Sequence, residues 1–411
     1  DFKLEGCEMG GLYGFINKKK LFDSNLLMEK MRQSLTHREW HSDEMVVTER
    51  FAFGRKGVVP SQFQPVYSND GNAFLMIDGD IFSIQGRNIS LSETYCEHIA
   101  RSIICDEKDM FSIEKIDIEG DYNLLMADVR NERFVISNDI FGLRHLFYYD
   151  DENIFIFSPE IDAILQYDNI DREIKFSSIS DYFFFNTLIH NNTFYKKIHL
   201  LPTASTIDLH RGHLTVKKYW NPDYNEGRVD ATYDDLVEEG YELWKNAIHK
   251  RIRGKEKIAI PLSGGLDSRL LVAFTMMKNK NIFSFTHDEK NGYEHRIANK
   301  VAKYLSIPDY RLYQLDGSSI LNNIEESVRL KGGMVQHGAI LIDMAKEMAN
   351  KYDIFLNGSF AMGLSFTSHY IREDEIKGHF SLEDRISRIS QRCGERYVGE
   401  LAQKQLTKEF L

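Results

Sequence analysis

Leu262-Ser263-Gly264-Gly265-Leu266-Asp267-Ser268 decides the reading of the second half of this chain; the run Lys257-Ile258-Ala259-Ile260-Pro261 precedes it and a helical pattern, Leu270 to Met277, follows. The apolar run reads as a strand buried on both faces, and the paired glycines mark a tight turn out of it. Adjacent glycines let backbone N–H groups close on an anion with no Cβ in the way. The helix that follows adds the partial positive charge of its N-terminus. Ser263 and Ser268 bring hydroxyls, and Asp267 brings a carboxylate suited to Mg²⁺ bridging phosphates. No Gly-Lys-Ser/Thr follows, so this is not a Walker A loop. A plain strand-to-helix turn also uses Gly and Ser, but the whole string between a buried strand and a helix favours a phosphate site.

Downstream, strands and helices alternate. Ile282–Thr286, Tyr310–Leu315 and Ile354–Leu356 read as strands; Glu294–Leu305 and Ala339–Asn350 read as helices. Ile297, Val301, Tyr304 and Leu305 fall on one face of the Glu294 helix. This alternation predicts a parallel sheet covered on both faces, with the glycine loop at the carboxyl ends of its strands, where ligands bind. Upstream, a helix from Tyr233 to Arg251 leads in, and the character changes near 210–232, after Trp220-Asn221-Pro222. The first 160 or so residues are β-rich: Ala73–Ile77, Tyr122–Ala127, Phe134–Ile136 and Ile154–Phe157 are short apolar or alternating runs. One helix is expected at Ser92–Ile104, with Ser92 as N-cap. Short strands at this spacing predict packed antiparallel sheets.

The chain has 411 residues, enough for two or three domains, and a net charge of −11. That balance argues against a broad nucleic-acid or anionic-membrane surface, and Lys18-Lys19-Lys20 is too short to reverse it. The four cysteines, Cys7, Cys96, Cys105 and Cys393, form no CxxC pair, which argues against a zinc ribbon, a redox pair or a disulfide framework. No apolar stretch approaches the roughly 20 residues that span a bilayer; Tyr182-Phe183-Phe184-Phe185 is bracketed by Asp181 and Asn186. There is no signal-peptide pattern, so a cytoplasmic location is expected. The start at Asp1 suggests that the chain is not an intact translation product.

These residues together resemble the asparagine synthetase B-type family, from about Met9 to Tyr370. Asp139-Ile140-Phe141-Gly142-Leu143-Arg144-His145-Leu146-Phe147-Tyr148-Tyr149 is similar to the family's D-x-F-G-x-x-P-L-Y-Y element. Phe157-Ser158-Pro159-Glu160-Ile161 resembles its F-S-S-E-x run, and Lys218-Tyr219-Trp220-Asn221-Pro222 its Tyr-Trp-x-Pro element. The resemblance implies an α+β N-terminal domain with Ntn-hydrolase-like antiparallel sheets over residues 9–220, an amidotransferase-like domain expected to be inactive. It implies a doubly wound α/β parallel sheet of the adenine nucleotide α-hydrolase type over residues 230–411. In the family the SGGLDS loop grips the pyrophosphate of ATP while a carboxylate is adenylated for attack by an amine. Carried over, Ser263, Gly264, Gly265 and Ser268 would bind pyrophosphate, Asp267 would hold Mg²⁺, and the backbone near Leu262, Phe285, Asn357 and Gly358 would bracket the adenosine.

Three departures qualify the resemblance. The family's N-terminal Met-Cys-Gly-Ile-x-Gly is here Met9-Gly10-Gly11-Leu12-Tyr13-Gly14, so Gly10 stands where the nucleophilic cysteine belongs. Cys7, three positions away, would need maturation to expose its amine, and an inert Cys is the simpler reading. The glutamine-binding Asn-Gly-Glu is Asp78-Gly79-Asp80, whose added negative charge suits a glutamine carboxylate poorly. Second, the family's L-S-G-E-G-A-D-E is Leu356-Asn357-Gly358-Ser359-Phe360-Ala361-Met362-Gly363, with Met362 and Gly363 at the acidic positions. Asp288, Glu289 or Glu294 could substitute, although a solvated acidic loop is the blander reading of all three. Third, the family's later catalytic Lys and Arg pattern is not found before Leu411, so the second domain is expected to be C-terminally incomplete. Lys404 and Lys408 read as a charged helix face, and His337 in Gln336-His337-Gly338 as a surface histidine.

The activity so implied is an ATP-dependent, AMP- and pyrophosphate-forming amide ligase that acts on a small-molecule or peptide carboxylate without hydrolysing glutamine. Family members that lost the glutaminase cysteine, such as β-lactam synthetases and lasso-peptide cyclases, close an amide inside one substrate. Ammonia-dependent asparagine formation is the simple alternative within the class. A nucleotide-binding pseudoenzyme or assembly protein is the alternative from another class. A homodimer is the candidate assembly; the sequence names neither the carboxylate nor the amine.

Overall fold

The computed structural model describes residues 10–37, 42–57, 65–84, 86–88, 117–185, 187–222, 231–314, 317–330, 332, 339–348, 351–358, 381, 384 and 388. The helix expected at Ser92–Ile104 lies outside the described residues, as do Cys7, Gln336-His337-Gly338, Met362, Gly363, Lys404 and Lys408. The chain divides into two compact units. One holds Glu8–Ile174 and His190–Ala231; the other includes Lys175–Ile189 and Thr232–Leu411. The segment Lys175–Ile189, with its helix at Phe176–Phe185, therefore belongs with the C-terminal half although it lies within the first 220 residues.

The N-terminal unit is built from two antiparallel sheets. Its elements in chain order are β1 (Gly11–Asn17), α1 (Ser24–Ser34), β2 (Ser42–Val47), β3 (Phe51–Gly57), β4 (Val66–Tyr67), β5 (Ala73–Ile84), β6 (Arg87–Asn88) and β7 (Ile118–Asp128). They continue with β8 (Arg133–Asn138), β9 (Phe147–Asp150), β10 (Ile154–Ser158), α2 (Ile161–Ile164), α3 (Phe176–Phe185, in the other unit), β11 (Ile198–Leu200), β12 (Ser205–His210) and β13 (His213–Lys218). One sheet runs β11-β9-β10-β1-β3-β2; the other runs β13-β12-β8-β7-β5-β4, with β6 paired to β5. β1 and β10 are buried at every position because they are central strands with both faces covered.

Between the sheets, Leu12, Phe53, Phe155 and Phe157 meet Phe74, Met76, Leu125 and Ile136 in one apolar cluster. The Phe53 and Phe134 rings lie 5.4 Å apart, and such a pair adds about 0.5–1.5 kcal/mol beyond its buried area. The other face of the first sheet is covered by α1, which buries Leu27, Met28 and Met31. Asp23 caps α1 by accepting from the N–H groups of Asn25 and Leu26.

The C-terminal unit contains α4 (Tyr233–Arg251), β14 (Ile258–Pro261), α5 (Leu266–Lys278), β15 (Ile282–Asp288), α6 (Tyr293–Tyr304), β16 (Asp309–Gln314), α7 (Gly317–Leu330), α8 (Ala339–Met348) and β17 (Ile354–Phe355). α4 opens with a reciprocal capping box between Thr232 and Asp235. The strands form a parallel sheet in the order β16-β15-β14-β17. Ile248, Ile252, Val272, Phe274, Ala298 and Ala302 from α4, α5 and α6 cover one face; Met344 and Met348 of α8 cover the other against Phe283 and Phe285. The unit is therefore an α/β doubly wound sheet, and the N-terminal unit an α+β assembly of antiparallel sheets.

α6 departs from its predicted face in one respect. Ala298 and Ala302 are its buried residues, while Tyr304 is 88% exposed. Small side chains let the helix sit close on the sheet, which turns the tyrosine outward. α7, not anticipated, packs on α8. Among the described residues no helix is long and apolar enough to cross a membrane.

Candidate nucleotide site

The chain leaves β14, builds β15 and β16 on one side, and returns to lay β17 on the other. The order of the strands thus reverses at β14, and the crevice beyond the carboxyl ends of β14 and β17 is the topological switch point where ligands bind in open α/β sheets. Ser263–Ser268 follows β14, and Asn357-Gly358 follows β17. A Cβ built on Gly358 would stand 3.4 Å from Asp267 Cβ, so the two strand ends meet at the loop.

The helix begins inside the motif. α5 starts at Leu266 with Gly265 as N-cap, which places Asp267 and Ser268 in its first turn. Gly264 has φ 80°, a conformation that a Cβ would strain, and a side chain there would also meet Ile297 of α6 at 2.8 Å. Ser268 braces the turn: its Oγ accepts from Ser263 N at 3.2 Å and donates to the Gly265 carbonyl at 3.1 Å. Ser263 Oγ accepts from Gly265 N at 3.3 Å and lies 3.2 Å from Ser268 Oγ. With the Ser268 proton given to Gly265, the Ser263 hydroxyl donates to Ser268 Oγ, so it meets an anion only by rotating away from that partner. Arg269 Nε donates to the same Gly265 carbonyl at 3.2 Å, bringing a cation to the turn.

The remaining expected contacts divide. Leu262 gives its N–H to the Phe285 carbonyl at 2.8 Å, and its own carbonyl accepts from Thr286 Oγ1 at 2.6 Å. The Phe285 ring is buried in the core among Phe283, Phe355 and Tyr313, with Met344 and Met348 of α8 in the same cluster. Asp288 is a helix cap: its carboxylate accepts from the N–H groups of Glu289 and His295, each at 2.8 Å. The His295 N–H foremost holds the Asp288 carboxyl below the usual carboxylate range, while burial, with Asp288 nearby, raises Glu294. Among the described residues no group of three His, Cys, Asp or Glu side chains could hold a metal ion. Asp267, half-buried in the first turn of α5, is a carboxylate that could serve as one ligand of a Mg²⁺ ion shared with phosphate oxygens.

In the N-terminal unit Gly10 precedes β1, and a Cβ there would fall on the Lys56 carbonyl oxygen. Asp78 lies in β5 with its charge compensated: Arg144 Nη1 is 2.8 Å from one carboxylate oxygen and Arg55 Nε 3.8 Å from the other. The negative charge that Asp78 adds at the Asn-Gly-Glu position is thus paired with two cations of the same unit. Asp139 of the D-x-F-G element accepts from the N–H groups of Phe141 and Leu143, yet burial raises its carboxyl to about 6. Its role is to close a turn.

Two family matches tile the chain. Residues 9–220 match the glutamine amidotransferase domain and residues 239–378 match asparagine synthase. The chain belongs to the asparagine synthetase B-type family. A relative, asparagine synthetase [glutamine-hydrolyzing] 2 of Bacillus subtilis (strain 168), is 24% identical over 343 residues, 77% of this chain and 45% of its own length. Asparagine synthetase [glutamine-hydrolyzing] 3 of the same organism is 20% identical over 421 residues, 93% of this chain and 67% of its own. This family member thus spans about half the length of the first relative. Among solved structures, a glutamine PRPP amidotransferase from B. subtilis, complexed with ADP and GMP, aligns with TM-score 0.36 and 9% identity over 84% of this chain and 97% of its own.

Sequence reading named the loop but missed what supports it. Thr286, Tyr310, His295 and Ile297 all bear on Leu262 or Gly264. The only available signal was the polar Thr-His-Asp ending of an otherwise apolar strand, Thr286-His287-Asp288.

Proposed function

We propose that the protein is an AMP- and pyrophosphate-forming amide ligase that adenylates a carboxylate for attack by an amine and does not hydrolyse glutamine. The observation that carries this reading is the loop at the switch point, with Gly264 held at φ 80° and Gly265 opening α5. The loop stands at the positive end of the helix, where a pyrophosphate would be held. In the reaction a carboxylate oxygen attacks the α-phosphorus and the bond to the bridging α,β-oxygen breaks, releasing pyrophosphate. The amine then attacks the acyl carbon, AMP leaves, and the nitrogen loses a proton. Ser263, Gly264 and Gly265 hold the departing pyrophosphate; Ser268 keeps the turn in shape and reaches a phosphate only by rotating its hydroxyl away from Gly265. Mg²⁺ held by Asp267 would neutralise charge developing on that leaving group.

Gly10 supports the absence of glutamine hydrolysis, since glycine offers no nucleophile and the Lys56 carbonyl occupies the space of one. The substrates that fit are a small-molecule or peptide carboxylate and an amine other than glutamine-derived ammonia. A second reading, nucleotide binding without turnover, is favoured by two observations: Met362 and Gly363 stand at the acidic positions, and Asp288 is engaged as a helix cap.

Exchange of labelled pyrophosphate into ATP tests the first half-reaction without knowledge of the amine. The wild type should catalyse exchange with its carboxylate present, and Asp267→Asn should lower the rate by about a hundredfold. MgATP binding with no exchange across a panel of amino acids and peptide acids would favour the second reading.

A further inference from the structure

Thr286, Tyr310 and His295 form a hydrogen-bonded chain that ends on the residue before the phosphate loop. Thr286 Oγ1 lies 2.6 Å from the Leu262 carbonyl and 2.8 Å from Tyr310 Oη, which lies 3.0 Å from His295 Nδ1. The direction of the chain is forced. A carbonyl only accepts, so Thr286 gives its single hydroxyl proton to Leu262. Thr286 Oγ1 then has only lone pairs to offer, so Tyr310 donates to it. The Tyr310 oxygen in turn accepts from His295, whose Nδ1 must carry a hydrogen. Burial foremost raises the Tyr310 phenol, against the opposing effect of its hydrogen bond with Thr286.

The helix turn that carries His295 also reaches the loop directly. His295 N–H is held by Asp288 at 2.8 Å, and two residues on, Ile297 closes against Gly264. Strand end, helix start and loop are tied at two points, through Leu262 and through Gly264.

We propose that Thr286, Tyr310 and His295 are positioning residues that pre-order the phosphate loop by fixing the Leu262 carbonyl. They act through Leu262 and touch no phosphate. A loop already ordered pays less conformational entropy when an anion arrives, so the chain strengthens binding without contacting the ligand. This rests on the nucleotide reading above.

Tyr310→Phe removes one hydroxyl and no carbon, and two measurements separate the chain from the nucleotide reading. Amide hydrogen exchange over residues 262–266 of the unliganded protein should accelerate by on the order of tenfold, the factor expected for one lost hydrogen bond. The Kd for MgATP should weaken by about fivefold while the far-ultraviolet circular dichroism is unchanged. Thr286→Ser, which keeps the hydroxyl, should behave as wild type, and Thr286→Val, which removes the bond to Leu262 itself, should have at least the effect of Tyr310→Phe, which removes only the group that orients Thr286; the Thr286 pair carries the test if Tyr310→Phe does not fold. Unchanged exchange and unchanged affinity would overturn the proposal. Accelerated exchange in a protein whose wild type binds no MgATP would uphold the chain and reject the nucleotide reading.

Discussion

At the scale of single residues, the two glycines of the loop are not equivalent. Gly264 needs its glycine for shape: φ is 80°, and a Cβ would meet Ile297 at 2.8 Å. Gly265 does not, since a Cβ there meets nothing nearer than Ser263 Oγ at 3.4 Å. Gly264→Ala should therefore destabilise the C-terminal unit by about 1–3 kcal/mol, from strain and a forced shift of Ile297. Gly265→Ala should melt near the wild-type temperature yet lose MgATP binding, because on the proposed function its new methyl group would stand where phosphate approaches. Thermal melts of both variants with and without MgATP decide the matter, and equal behaviour would contradict the division of roles. The motif string identified both glycines as phosphate contacts. Only the backbone angle and the approach of Ile297 separate a residue that shapes the loop from one that clears space for a ligand.

At the scale of elements, β17 is the weak link on which the crevice depends. It has two residues, Ile354 and Phe355, and presents Asn357-Gly358 to Asp267. Its register is pinned by Asp353, whose carboxylate accepts from Glu256 N at 2.8 Å and Lys257 N at 2.9 Å. The Lys257 N–H foremost holds the Asp353 carboxyl below its ordinary value. For a depressed carboxylate the stabilisation is complete above the ordinary value of about 3.9 and disappears as pH falls through the folded value. Asp353→Ala should cost about 1 kcal/mol near neutral pH, modest because the group is largely solvated, and nothing at a pH below the folded value. Urea midpoints of the two proteins should draw together as pH falls below about 3.9; a gap that does not narrow in acid would mean that the carboxylate's charge is not what holds the strand.

At the scale of the whole molecule, two units with separate cores should unfold as two calorimetric transitions. Only the C-terminal one should move with MgATP, by an amount that grows as RT ln(1 + [L]/Kd), about 2.7 kcal/mol at a hundredfold excess over Kd. A single transition, or equal shifts of both, would show that the units do not fold independently. The membership of Lys175–Ile189 in the C-terminal unit sharpens this expectation. A fragment starting at Thr232 would lack α3, which is part of that unit, so cutting the chain at the composition change near 210–232 would not isolate it intact.

The loop, the strand before it, the alternation of strands and helices after it and the glycine at position 10 were legible in the sequence alone. Each is written in local chemistry: a glycine pair, an apolar run, a helical period, one residue type at one position. β1 was legible only as a motif, because its glycines weaken any strand signal that periodicity could detect. What the tertiary structure decided is which distant groups meet. The return of β17 beside β14, the cover of Ile297 over Gly264, the cations paired with Asp78 and the chain from His295 to Leu262 all join residues far apart in sequence. No local pattern encodes such meetings, because they follow from the order of the strands and from close packing between elements, which exist only once the sheet has formed.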